Sequence, residues 1–189
     1  MYAGARPLNL VDRSLGTMDI RITKRGARNV LSCARPDGTL ASADIGPNLP
    51  HHDLAHFVVE RAFDLQDGFF GNIARGYTPI QLSDKNIIQS LGVSPYRAEI
   101  LARALGSLHT GACSPEQFED LVNAELTSLG LPSMRIQPAI RDALLAEFNG
   151  HLTTFLGLRD GDSMSLSFSG LAPGVMFAGV RPLNQVVGR

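Results

Sequence analysis

Between Ser163 and Phe168 the chain alternates without exception: Met164, Leu166 and Phe168 take one set of positions, and Ser163, Ser165 and Ser167 the other. Successive side chains of a strand point to opposite faces, so this is a strand with one apolar and one wet face. A lone strand cannot satisfy its backbone, and the segments before it read as helices. Its partners must come from the start of the chain. There, Asp19 to Lys24 alternates as well, with Ile20 and Ile22 on one face and Arg21 and Thr23 on the other. A turn at Gly26 leads to a second strand, Asn29 to Arg35, and Pro36-Asp37-Gly38-Thr39 turns it into a third, Leu40 to Ile45. Gly46-Pro47-Asn48-Leu49-Pro50 cannot continue a ladder and leads into helix.

The middle of the chain carries helix signals. A first helix is read from Pro50 to Leu65, ending near Asp67-Gly68, where Gly68 supplies a left-handed cap, with Phe69 to Ala74 as a short further turn. Others follow at Asp84 to Leu91, Tyr96 to Leu105 and Phe118 to Leu129. The last opens with Ser114-Pro115-Glu116-Gln117, a capping box with proline at the first position. A longer helix runs from Pro138 to about Phe155, with Ile140, Ala143, Leu144, Phe148, Leu152 and Phe155 at helical spacing. The reading is an α+β fold: a small antiparallel sheet, made of an N-terminal three-stranded meander plus the C-terminal strand, packed with about five helices. Residues 1–17 read as a loose N-terminal arm, 18–168 as one domain and 169–189 as a tail. Arg6-Pro7-Leu8-Asn9 recurs as Arg181-Pro182-Leu183-Asn184, too short a match to mark a repeat architecture.

Charge and composition exclude several functions. Seventeen basic and eighteen acidic residues leave a net charge of −1, so no bulk field draws the chain to nucleic acid or an anionic membrane. Tryptophan is absent and aromatics make up 6%, which argues against base stacking and aromatic anchoring of a partner. No stretch approaches the roughly 20 apolar residues of a membrane helix, and the start lacks a signal-peptide pattern. Cys33 and Cys113 show no ligand spacing and read as small core residues of a reducing compartment. A cytoplasmic location is expected. Nucleotide-binding glycine motifs and the Gly-x-Ser-x-Gly elbow are missing. Asp160 and Asp162 form a charged turn with too few oxygens for calcium. His151 lies among apolar residues, and Gly111 and the Ser114 cap separate His109 from Cys113.

The chemically suggestive segment is the first helix. At 100° per residue, His52, Asp53, His56, Glu60, Asp64 and Asp67 fall within about 120° of arc, opposite Leu54, Val58, Ala62 and Leu65. The plain account is the polar face that any surface helix needs. The sharper one is a divalent metal site. His52 and His56 stand at i and i+4, so two imidazoles can converge on one ion, and Glu60 extends the line by one turn. His52 lies in the first turn, where the helix dipole favours the neutral imidazole that coordinates metal. His52, His56 and Glu60 are therefore the candidate ligands for zinc or another first-row ion. Asp53 and Glu60 are the candidate catalytic bases, taking a proton from metal-bound water in metal-assisted hydrolysis. A lone helix cannot complete the site, and His109, Asp44 and Asp64 are candidates for a further ligand. The competing class is a non-catalytic interaction module that presents this stripe to a protein partner or to another copy of the chain.

His-Asp-x-x-His is similar to the His-Glu-x-x-His helix of zinc proteases, with the shorter Asp53 where their general-base glutamate stands and no downstream third-ligand pattern. It also resembles a His-Asp-x-x-His motif of ubiquinone-biosynthesis proteins, whose glutamate after eleven intervening residues corresponds here to Gly68. More closely, His52 to Glu60, followed by Gly68-Phe69-Phe70-Gly71, resembles uncharacterised bacterial proteins with a Pro-His-Asp-Leu-x-His-Phe-Val-Val-Glu helix and a Gly-Phe-Phe/Trp-Gly segment. The likeness covers the strand-rich start, this helix and the final strand, and implies no activity. The two phenylalanines are expected either to plug the core or to wall a pocket beside His56 and Glu60.

Overall fold

The computed structural model describes residues 16–26 and 28–169. Strands β1 (Thr17–Thr23), β2 (Asn29–Ala34) and β3 (Leu40–Gly46) form the meander, and β4 (Ser163–Ser169) closes beside β1. The sheet order is β3-β2-β1-β4, antiparallel throughout. Met18, Ile20 and Ile22 of β1 lie opposite Phe168, Leu166 and Met164 of β4. Together with Leu31, Cys33, Ala41, Ala43 and Ile45 they form the buried face, on which Ala43 and Leu166 are only partly covered. The other face is polar, with hydroxyl pairs such as Thr23 with Ser163 at 2.8 Å and Ser32 with Ser42 at 3.1 Å. The turn at Pro36-Asp37-Gly38-Thr39 forms as read, with Gly38 at φ 82 and its N–H donating to the Arg35 carbonyl at 3.0 Å.

Between β3 and β4 run α1 (Leu49–Ala62), α2 (Phe69–Ala74), α3 (Lys85–Ser90), α4 (Ser94–Thr110), α5 (Phe118–Ser128) and α6 (Pro138–Gly157). The described residues thus hold six α-helices, because Phe69 to Ala74 is a helix rather than a passing turn. Two single turns of 3₁₀ helix, Gln81–Ser83 and Pro115–Gln117, add to these. The expected start at Ser114 is present, the Gln117 side chain accepting from the Ser114 N–H at 3.2 Å. Helix α4 runs past Gly106 to Thr110 and stops where Gly111 takes a left-handed φ of 76. Of the arm read at 1–17, all but Gly16 and Thr17 lies outside the described residues, and Thr17 is already in β1. Of the tail read at 169–189, all but Ser169, the last residue of β4, lies outside them too. Among the described residues no helix is long and apolar enough to cross a membrane.

The placement of α1 departs most from the surface-helix expectation. It packs against α4 and α6 and also touches the sheet through β3 and β4. Every residue from Asp53 to Glu60 is buried, the acidic and histidine-bearing side as well as the apolar one. Asp64 and Asp67 lie beyond the helix, which ends at Ala62, and Asp64 rather than Gly68 takes the positive φ, at 52. One account of the stripe is therefore overturned: it is an interior surface covered by α4, not a solvated face.

Candidate functional site

On the first turns of α1, His52 is half-buried and His56 buried, and the i, i+4 spacing brings their rings together at 84° with centroids 4.7 Å apart. Glu99 of α4 crosses over this pair. The three facing atoms form a nearly equilateral triangle: His52 Nε2 to His56 Nε2 is 3.2 Å, His56 Nε2 to Glu99 Oε2 3.1 Å, and His52 Nε2 to Glu99 Oε2 3.3 Å. These three residues form a group that could hold a metal ion. The second oxygen of Glu99 lies 3.4 Å from Nε of Arg103, whose guanidinium also pairs with Glu125.

Glu60, expected as the third ligand, lies outside this triangle. Its carboxylate is fully enclosed, and each oxygen is taken: Oε1 accepts from His56 Nδ1 at 3.0 Å and from the Phe69 N–H at 2.7 Å, and Oε2 from the Gly71 N–H at 3.1 Å. One helical turn beyond His56, it reaches the far side of the imidazole ring and not the side that faces His52. It therefore holds His56 with Nδ1 protonated on one side and Nε2 turned to the triangle, the carboxylate–histidine arrangement that orients metal-ligating imidazoles.

This contact explains Gly68-Phe69-Phe70-Gly71. A Cβ on Gly68 would stand 2.3 Å from Cδ of Glu60, and one on Gly71 would stand 2.2 Å from the Gln66 carbonyl oxygen. The glycines let the start of α2 close over the carboxylate, so that two backbone N–H groups meet it. The two phenylalanines differ in position. Phe70 is fully buried between Phe57 and Phe168, with centroids 6.1 and 6.0 Å away, while half-buried Phe69 lies 5.7 Å from the His56 ring.

The electrostatics follow from this burial. Removal from water disfavours charge on His56, but the hydrogen bonds and charges of Glu60 and Glu99 outweigh it and push the imidazole up to about 9. Hydrogen bonds from His52 and His56 hold Glu99 well below the usual carboxylate range. Asp53 is pushed up to about 6, chiefly by burial, with the nearby His56 and His52 opposing. Its Oδ2 is enclosed without a hydrogen-bond partner. In the metal-free chain a proton on His56 serves as the positive charge that the surrounding carboxylates favour.

The further ligands considered in the sequence do not join the triangle. Asp44 pairs with Arg28 at 2.6 Å on β3, His109 Nδ1 is bonded to Asn149 Oδ1 at 2.7 Å, and Asp64 sits exposed past the end of α1. Cys33 and Cys113 are free and buried, the Cys33 thiol being pushed up to about 12 by desolvation and by Asp53. Glu99 was missed because it stands 43 residues from His56. The one signal for it is that it is the sole acid of α4. No family model, curated protein or solved structure matches this chain.

Proposed function

We propose that the chain binds one divalent first-row metal ion, zinc foremost, through His52, His56 and Glu99, and that its chemistry is metal-assisted hydrolysis. The observation carrying the reading is the triangle of donor atoms. With sides of 3.1, 3.2 and 3.3 Å, its centre lies about 1.9 Å from each atom, the side divided by √3. Zinc–nitrogen and zinc–oxygen bonds of about 2.0–2.2 Å would therefore seat an ion just off the plane of the three atoms. Three protein ligands leave a fourth position for water, and His52 and Glu99 are each only about two-thirds covered (36% and 38% exposed side chains), so water can reach it. The bound ion would polarise a substrate oxygen and lower the pKa of its water.

Glu60 then acts by orienting His56, since both its oxygens are already engaged. Asp53 is buried beside the ligands, where its carboxylate would balance charge near the ion. The interaction-module reading needs an exposed stripe, and two of its four acids, Asp53 and Glu60, are interior. The test is elemental analysis and cobalt(II) spectroscopy of tag-free protein prepared without chelator, alongside Glu99→Ala and His52→Ala variants. About one ion per chain, lost in both variants while their circular dichroism is kept, is the expected result. No bound metal, and no thermal shift with zinc, manganese or iron(II), would overturn it.

A further inference from the structure

We infer that the metal group opens into a groove for an elongated ligand: a small molecule with a metal-binding oxygen head and an uncharged, largely apolar body. The inference rests on the metal reading above. A groove of about 550 Å³ runs between the start of α1 and helices α4, α5 and α6, and His52 belongs both to its wall and to the metal group. A molecule lying in it therefore meets the exposed edge of the ion site without crossing protein. The volume falls within the range of sites that hold small organic ligands.

The lining decides the chemistry of the body. Ala55, Ala102 and Phe148 make a buried apolar floor, and exposed His51 and His109 stand at the rim. The charges beside this floor are already satisfied within the protein: Arg103 pairs with Glu99 and Glu125. His109 is likewise tied, through Nδ1, to Asn149. The charged side chains of the lining, Arg103 and Glu125, pair with each other, so a charged body would find no free counter-charge there, whereas an apolar one would cover the floor. The metal end differs, because an ion with an open position takes a carbonyl, carboxylate or hydroxamate oxygen. Ala102 and Thr110, the ends of the groove's wall on α4, are eight residues apart, which at 1.5 Å per residue makes the groove about 12 Å long. That is room for a chain well beyond the head group.

Gly106 marks the middle of the groove. It is inside helix α4, where glycine is normally disfavoured, yet a Cβ added there would meet nothing within 4 Å. A larger side chain at this position can occupy the groove without displacing the core.

Calorimetry on the full chain tests this in three steps: zinc alone, then acetohydroxamate, then octanohydroxamate on the zinc-loaded protein, for wild type and Gly106→Leu. The expected result is that octanohydroxamate binds at least about tenfold more tightly than acetohydroxamate to the wild type. Gly106→Leu should remove most of that preference while leaving zinc and acetohydroxamate affinity unchanged and the thermal melt no lower than that of the wild type. Equal affinity of the two hydroxamates for the wild type, or a preference that survives Gly106→Leu, would overturn the groove while zinc binding stood. Absence of the zinc isotherm would overturn the metal reading and this inference with it.

Discussion

In the metal-free chain His56 stands between two carboxylates and keeps a proton to about pH 9, above the ordinary imidazole value of 6.5. A group whose pKa rises on folding stabilises the folded state below its unfolded value, and that stabilisation is lost as pH climbs through the folded value. Thermal melts of the metal-free protein should therefore fall by several degrees between about pH 7 and pH 9.5. Glu99 has the opposite sign, its contribution being lost on acidification, and Asp53 costs stability above about pH 6. Zinc takes the place of the proton, so the loaded protein should show no such alkaline decline. An unchanged melting temperature across that range without metal would contradict the placement of His56. The carboxylate of Glu60 makes a second prediction at this scale: Glu60→Gln should weaken zinc binding by about 10–100-fold, the usual cost of losing a partner that orients a ligand. Equal affinity by competition with a chromophoric chelator would show that the Glu60–His56 bond does not position the ligand.

Helix α2 is short, six residues, and its value lies in what its first turn meets. Its Phe69 and Gly71 N–H groups converge on the carboxylate of α1, an approach that only glycine at 68 permits. Gly68→Ala should push the carboxylate aside, lowering stability by about 1–3 kcal/mol, the cost of breaking buried polar contacts, and weakening zinc as well. Chemical denaturation and metal titration on one preparation check both. An unaltered protein would mean that α2 yields freely and does not hold Glu60. The contrasting case is α4, where Gly106 faces open space. There Gly106→Ala should raise stability by about 0.5–1 kcal/mol, because nothing opposes the gain in helix propensity.

At the scale of the molecule, the first and last described strands pair along their whole lengths, Thr17 with Ser169 through Thr23 with Ser163. This seats Phe168, 1% exposed, against Phe70, so that the final strand, the sheet and the helix behind the site share one core. Phe168→Ala should cost about 3–5 kcal/mol, as large-to-small changes of a buried aromatic do, and should lower the unfolding midpoint in urea accordingly. A loss below 1 kcal/mol would mean that β4 is dispensable to the core, against its position here.

The amino-acid sequence by itself determined the elements and most of their faces. Alternation in 19–24 and 163–168, the Pro36-Asp37-Gly38-Thr39 turn and the Ser114 cap are local matters, settled by backbone sterics and by which side of a strand or helix is apolar. The spacing of His52 and His56 is local in the same way, and so is visible. Only the tertiary structure decided that α1 is interior, because helical periodicity compares one side of a helix with the other and does not register a second helix covering the polar side. That covering by α4 brings in Glu99 from 43 residues away. The start of α2 in turn closes over Glu60, which is held by His56 and two backbone N–H groups instead of reaching the triangle. Side-chain distances of 3 Å between separate helices follow from how the helices pack, and no single segment of the chain encodes that.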